Sequence, residues 1–214
     1  KAKRGKREKK QVPIPTSADI SKMLVEADKL PASYGLYIRT AVLTGCRAGE
    51  LRGLQWRHMD FAAASVLVEQ RAEQDGTIGQ PKTVSGHRTV PLPAGLIAKL
   101  KAAFLASGRN LDAFVFSNRV GEPLDHDAFS GRQWRPMLKR LGMSGLDFHH
   151  LRHYYASALL HAGVPITEVS RRLGHADPAI TLRIYSHALP EASTGAELAG
   201  IEAGLTGAQQ DCNR

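Results

Sequence analysis

The side chains best suited to catalysis lie in the segment His149-His150-Leu151-Arg152-His153, which places three histidines and an arginine within five residues. On a helix, His149 and Arg152 share one face and could present a base and a cation to the same phosphate group. His149 and His153 also share a face, as two zinc ligands on a helix do. The zinc-protease pattern HExxH is not met because position 150 is His, and the spacing identifies no third ligand. Phosphate chemistry and metal chemistry therefore both stay open at this point.

Four other positions carry side chains of similar chemistry, and each has an ordinary structural explanation when it is taken alone. Arg47 can form a structural ion pair with Glu50, three residues further along the same helical face. Lys82 lies in a predicted turn, where a lysine is usually solvated. His175 follows a predicted helix end and can serve there as a cap. Tyr185 lies near another helix end, where tyrosines usually contribute to packing.

Apolar periodicity and capping residues predict that the elements positioning these side chains are mainly helical. The first predicted helix follows the capping residues Thr16 and Ser17. The other predicted helices are a short one that begins at Arg47 and longer ones over 33–44, 94–108, 125–141, 149–162, 165–173 and 178–186. The segments 65–70 and 87–92 have β-type patterns and are joined by a linker containing Gly and Pro, which predicts a small antiparallel sheet. Residues 113–117 are expected to form a short strand or an extended segment. The predicted fold class is α+β, mainly helical with a small antiparallel β-sheet.

Composition narrows the function classes further. The chain has 214 residues, 43% hydrophobic and 23% charged, which suits one sizeable core and excludes a disordered, collagen-like or disulfide-scaffold protein. The sequence contains no apolar run long enough to cross a membrane, no secretory leader pattern, and no P-loop, GxGxxG or GxSxG motif. Cys46 and Cys212 match no metal-ligand spacing, so we expect a reducing, cytoplasmic location.

The positive charge is unevenly distributed along the chain. The net charge is +9, of which the first ten residues contribute +6, residues 11–189 contribute +6 and residues 190–214 contribute −3. The basic leader fits either an arm that lies along phosphates or a solvated stub. The mildly basic body is compatible with nucleic-acid binding but does not establish it.

Taken in order, the motifs resemble those of the tyrosine recombinase (phage integrase) family. The matching segments are TGCRAGEL, KTVSGHRTVPL, HHLRH, RRLGH and a Tyr-Ser-His ten residues after the histidine of RRLGH. The resemblance extends over roughly residues 13–190 and implies the mainly helical catalytic fold of that family. The positions that match its catalytic residues are Arg47, Lys82, His149, Arg152, His175 and Tyr185.

The resemblance implies a site-specific recombinase that cleaves and rejoins DNA through a 3′-phosphotyrosyl intermediate, without a metal or another cofactor. Tyr185 matches the nucleophile, and Arg47 with Arg152 match the pair that binds the nonbridging phosphate oxygens. By the same resemblance His149 is the general base, His175 hydrogen-bonds the phosphate, and Lys82 is the general acid. The family often has an acidic residue at position 150. His150 therefore leaves open which of two adjacent histidines is the base, although the HxxR spacing favours His149.

The same resemblance suggests how the chain is organised and what it binds. We expect residues 1–12 to be the remnant of a basic interdomain linker, 13–190 to be the catalytic domain, and 191–214 to be a tail that docks on a neighbouring protomer. The implied partners are double-stranded DNA, three further copies in a homotetramer on DNA, and an accessory DNA-bending protein.

The expected role is integration or excision of a phage or mobile element in bacteria. A chromosome-dimer resolvase or a DNA invertase would use the same chemistry. Two alternatives come from other classes. One is a noncatalytic DNA-binding regulator with this fold, and the other is a metal enzyme built on His149, His150 and His153.

Overall fold

The computed structural model describes residues 13–81 and 83–189. The predicted linker 1–12, Lys82 and the predicted tail 191–214 therefore lie outside the described residues. Nine α-helices occur in the described part of the chain: α1 Ser17–Ala27, α2 Ala32–Thr44, α3 Ala48–Gly53, α4 Ala94–Ala106, α5 His126–Phe129, α6 Arg135–Arg140, α7 His150–His161, α8 Ile166–Leu173 and α9 Pro178–Tyr185. A π-helical turn, Ser130–Trp134, joins α5 to α6. The longest of these helices has 13 residues, so none in the described part could cross a bilayer.

Local capping explains where several helices begin and end. At the start of α1 the Thr16 hydroxyl accepts a hydrogen bond from the Asp19 backbone N–H at 3.1 Å, and the Asp19 carboxylate accepts one from the Thr16 N–H at 3.0 Å. This reciprocal capping box confirms the N-cap predicted at Thr16. Helices α2 and α8 end at Gly45 and Gly174, both in the left-handed conformation, with φ of 63° and 66°. Glycine adopts this conformation without a steric penalty.

The strands form two small antiparallel sheets rather than the single one predicted. In the larger sheet, β2 (Ser65–Val68) lies between β1 (Met59–Asp60) and β5 (Arg88–Pro91). The chain between β2 and β5 contains a separate hairpin of β3 (Arg71–Ala72) and β4 (Ile78–Gly79). Two-residue strands are too short to show an alternating pattern, so the sequence did not reveal β1, β3 and β4. Segment 113–117 joins neither sheet and instead makes isolated bridges at Phe114 and Ser117.

Helix α7 connects two apolar clusters. Its Leu151 belongs to the larger cluster, in which Tyr37 stacks on Phe148 with ring centroids 4.9 Å apart. Its Ala156 and Leu160 belong to a smaller cluster with side chains of α8 and α9. The residues between these contacts, at positions 152 and 153, therefore lie in the seam where the clusters meet.

The turn after α2 depends on the absence of a side chain at Gly45. A Cβ atom at this position would lie 2.4 Å from Cδ1 of Tyr155 on α7. The turn after α2 can therefore pack directly on α7. From this turn the chain continues through Arg47 into α3.

Replacing Gly45 with alanine should destabilise the protein by about 3 kcal/mol. The left-handed conformation costs a residue with a Cβ roughly 1–2 kcal/mol, and the overlap with Tyr155 adds a similar amount. Gly163→Ala is a matched control, since its φ is 76° but no atom lies within 4 Å of its Cβ position. We expect it to cost only about 1 kcal/mol. Urea unfolding of both variants measures the difference, and equal losses would show that the contact with Tyr155 is unimportant.

Candidate active site

A buried arginine joins three of the sequence motifs. Arg152 lies on α7 and is only 3% exposed. Its Nη1 donates a hydrogen bond to the Gly45 carbonyl at 2.7 Å, and its Nη2 donates one to the Leu173 carbonyl. These bonds hold the turn before Arg47 and the end of α8 against the start of α7. Burial, and then repulsion by Arg47, lower the pKa of Arg152 to about 10, so it remains charged at neutral pH.

A second buried arginine, Arg88 on β5, reinforces this arrangement. Its two terminal nitrogens donate to both carboxylate oxygens of Glu50, at 2.8 and 3.1 Å, and its Nε donates to the Arg172 carbonyl at 2.6 Å. Arg88 is not among the site residues predicted from the sequence. The available signal was the strand pattern, because Arg88, Val90 and Leu92 alternate toward the interior.

Arg47 precedes α3 and pairs with Glu50 as predicted. Its Nη1 lies 2.9 Å from one Glu50 oxygen, and its backbone N–H donates to the other at 2.8 Å. Unlike Arg88 and Arg152, its side chain is 44% exposed. Arg47 can therefore meet a ligand from solvent while Glu50 fixes its direction.

His149 and His150 face different surroundings. His150 has its Nδ1 2.8 Å from the Asp147 carboxylate, in a local contact at the start of α7. His149 remains exposed and borders a cavity of about 220 Å³ together with Arg47 and His126. Partial desolvation, and then the charge of Arg152, lower the pKa of His149 below its ordinary value. Of the two histidines, His149 is thus the one that shares a cavity with Arg47.

His175 lies just beyond the left-handed Gly174. Its Nδ1 is 2.8 Å from the Thr181 hydroxyl on α9. Burial, followed by repulsion from Arg152 and Arg47, lowers the pKa of His175 to about 4. His175 and Arg47 border a cleft of about 510 Å³, which is also bordered by Pro81 and Thr83 on either side of Lys82.

Tyr185 is the last residue of α9 and is almost completely buried, with 1% exposure. Its hydroxyl oxygen lies 2.7 Å from Nδ1 of His153. Burial raises the pKa of Tyr185 to about 12, although the charges of Arg152 and Arg47 act in the opposite direction. His153 was considered from the sequence only as a metal ligand. No local pattern predicts its contact with Tyr185, since the two residues are 32 positions apart.

The structure therefore brings together five of the six predicted site residues, and the sixth, Lys82, lies outside the described residues. The five are Arg47, His149, Arg152, His175 and Tyr185.

The geometry gives the metal alternative no support. In residues 13–81 and 83–189 no three His, Cys, Asp or Glu side chains converge as metal ligands would. The Nδ1 atoms of His150 and His153 point instead to Asp147 and to Tyr185.

Comparison with known proteins identifies the family. The model of the phage integrase family matches residues 15–192, which is most of the chain. The chain belongs to the phage integrase family. The tyrosine recombinase XerC-like protein of Caldanaerobacter subterraneus subsp. tengcongensis is 33% identical over 177 residues, covering 72% of this chain and 45% of the relative. An integrase of Streptomyces ambofaciens is 36% identical over 182 residues, covering 75% of this chain and 46% of the relative. The chain thus spans about half the length of these two relatives.

A solved structure confirms the predicted fold class. The Tn1549 transposon integrase, in complex with transposon right end DNA, superimposes with a TM-score of 0.70 at 22% identity. The match covers 92% of this chain and 66% of the integrase. The family member described here is thus mainly helical with small antiparallel sheets, as expected for a tyrosine recombinase catalytic fold.

The shared carboxylate of Glu50 makes stability depend on pH. Burial alone would raise its pKa, but hydrogen bonding and charge attraction from Arg88, with Arg152 and Arg47, lower it to about 2. The ordinary value is near 4.5, so the stabilisation is present above pH 4.5 and is lost as the pH falls toward 2. We expect Glu50→Gln to lower the free energy of unfolding by about 3 kcal/mol at pH 7. The variant should also have a flatter dependence of stability on pH between pH 2 and pH 4.5.

Urea unfolding between pH 2 and pH 7 measures this effect. Glu168→Gln is the control. Hydrogen bonds from Arg171 and Arg172 lower the pKa of Glu168 to about 2 as well, but its side chain is 31% exposed, so solvent screens these interactions. We expect the Glu168 change to cost less than about 1 kcal/mol. Equal profiles for the wild type and Glu50→Gln would contradict the assignment.

Proposed function

We propose that this chain is the catalytic domain of a site-specific DNA recombinase that cleaves and rejoins strands through a phosphotyrosyl bond at Tyr185. The observation that carries the proposal is the convergence of a buried tyrosine with two arginines from separate motifs. Tyr185 hydrogen-bonds to His153, the residue after Arg152. Arg152 in turn bonds to the turn that leads to Arg47. Family membership supports the same reaction.

The arginines supply binding energy where negative charge develops. Arg47 is exposed at the cleft, and Arg152 is held rigidly by two backbone carbonyls. A guanidinium has five N–H donors, so Arg152 keeps three for a phosphate. Preorganised donors of this kind contribute roughly 3–4 kcal/mol each to a transition state by analogy with oxyanion holes. His175 borders the same cleft and provides a further donor to a phosphate oxygen.

The proposed reaction needs two proton transfers. The Tyr185 oxygen forms a bond to phosphorus at the 3′ side while the bond from phosphorus to the 5′ oxygen breaks. His149 accepts the phenol proton, and its lowered pKa keeps it neutral at pH 7, as a base must be. Lys82 gives a proton to the leaving 5′ oxygen. Rejoining reverses these steps with the 5′ hydroxyl of another strand, and no external energy source is required.

We further propose double-stranded DNA as the substrate, bound by a homotetramer, with an accessory DNA-bending protein. The Tn1549 integrase in complex with DNA supports the first of these partners. The relatives include a XerC-like recombinase and an integrase, so both integration or excision of a mobile element and chromosome-dimer resolution fit. The protein would work on DNA in the bacterial cytoplasm.

Tyr185→Phe should abolish covalent attachment to DNA while leaving DNA binding unchanged, because only the attacking oxygen is removed. A pool of nicked duplexes with random sequence serves as the probe, since cleavage beside a nick releases a short strand and prevents rejoining. We expect the wild type to form a protein–DNA adduct that survives detergent, and sequencing of the trapped DNA identifies the site.

Tyr154→Phe is the matched control, because the Tyr154 hydroxyl donates to the Ser17 hydroxyl at an exposed position. This variant should trap DNA at the rate of the wild type. Binding without any adduct from the wild type would favour the noncatalytic regulator. An adduct formed by Tyr185→Phe would show that another residue is the nucleophile.

Lys82→Ala should cleave an ordinary phosphodiester at least 100-fold more slowly, since loss of a general acid typically costs about 10²–10⁴ in rate. A substrate with sulfur in place of the 5′ bridging oxygen should restore most of the rate, because a thiolate leaves without a proton. Arg47→Ala is the control that this substrate should not rescue. If the sulfur substrate also fails to rescue Lys82→Ala, Lys82 is not the acid.

A further inference from the structure

The hydrogen-bond partner of the proposed nucleophile is His153, a residue outside the set of expected catalytic groups. Its Nδ1 lies 2.7 Å from the Tyr185 hydroxyl oxygen, and both side chains are buried. His153 follows Arg152 directly on α7, whereas Tyr185 ends α9. The contact thus ties the end of α9 to the helix that carries Arg152.

The surroundings of His153 keep its ring neutral. The groups that face it are the rings of His149, His150 and Tyr185, with centroids 4.8, 5.9 and 5.6 Å away, and the nearby charge of Arg152. Burial, and then repulsion by His149, lower the pKa of His153 to about 4, so the ring is neutral at pH 7. The tautomer of a neutral imidazole sets the direction of the bond. With the ring proton on Nε2, Nδ1 is an acceptor and the phenol O–H donates to it, and this is the arrangement that gives the phenol proton a partner.

The position of Tyr185 shows why this bond matters. Its backbone has left the helical conformation, with φ of −120° and ψ of 14°. Helix α9 therefore fixes Tyr185 only at the backbone end of the residue. The hydrogen bond to His153 supplies a second fixed point, at the far end of the side chain, and the two points together define where the oxygen lies.

We propose that His153 is a positioning residue whose unprotonated Nδ1 accepts the Tyr185 O–H and holds the phenol oxygen beside Arg152 before DNA binds. This inference rests on the proposed function. His153 acts through Tyr185 and needs no contact with the substrate. The pKa values of about 4 and about 12 are so far apart that the resting contact is a hydrogen bond, without proton transfer.

A pair of nearly isosteric variants separates acceptor placement from simple packing. His153→Asn puts a carbonyl oxygen near the former Nδ1 position, whereas His153→Leu fills similar space without an acceptor. At saturating DNA we expect the rate of adduct formation by His153→Asn to stay within threefold of the wild-type rate. For Leu we expect a loss on the order of 100-fold, as a misplaced reacting group produces. The half-saturating DNA concentration should stay unchanged in both variants.

His161→Leu controls for the loss of a histidine from α7, since its Nδ1 bonds to the Ser157 carbonyl at the other end of that helix. It should react at the rate of the wild type. Equal loss in His153→Asn and His153→Leu would overturn the proposal, as would a His153→Leu variant as fast as the wild type. Urea unfolding of each variant confirms that the compared proteins are folded.

A second measurement tests the contact without any DNA. In long-range ¹H–¹⁵N spectra of the chain with labelled histidine, His153 should show an unprotonated Nδ1 and a protonated Nε2. Tyr185→Phe should shift the Nδ1 resonance, and Tyr154→Phe should not. An unaffected resonance in an active protein would reject this inference alone. A confirmed contact in a wild-type protein that binds DNA but never forms an adduct would reject the proposed function, and with it the positioning role.

Discussion

The arrangement of the site depends on one buried guanidinium that is held by backbone carbonyls. Arg152 donates to Gly45 and to Leu173, which belong to segments more than 100 residues apart in sequence. A buried cation is costly unless its donors are satisfied, so these carbonyls must stay in place while the domain is folded. The bonds hold the turn before Arg47 and the loop before His175 at fixed positions relative to α7. Separate motifs thereby become one site.

The site has more positive than negative charge, and this imbalance explains its other properties. Arg47, Arg88 and Arg152 are grouped around a single carboxylate, Glu50. The surplus charge combines with burial to lower the pKa of the neighbouring histidines, including His175. The histidines therefore remain neutral and keep a free lone pair. The missing negative charge is what a bound phosphate would supply, so the same imbalance would favour binding of the proposed DNA substrate.

Prediction from sequence succeeded where local chemistry decides the structure. Thr16 and Gly45 carry capping signals that act within a few residues, and the helices that they delimit appear as expected. The motif order also singled out Arg47 and Arg152, which the structure links through the Gly45 carbonyl. The partnership of Arg88 with Glu50 and that of His153 with Tyr185 were missed, because they depend on how a strand and two helices pack across long sequence separations. Short strands such as β3 were missed because two residues show no periodicity.

In the proposed reaction, burial of Tyr185 would link its ionisation to the arrival of DNA. In the resting site the phenol proton has no strong acceptor, since the pKa of His153 is about 4 and that of His149 is also lowered. A phosphate bound at Arg47 brings negative charge close to these rings, and an opposite charge nearby raises the pKa of a histidine. Substrate binding would thus turn a weak proton acceptor into an effective base at the moment it is needed. Because the pKa of Tyr185 is about 12, its phenol stays protonated and unreactive until then.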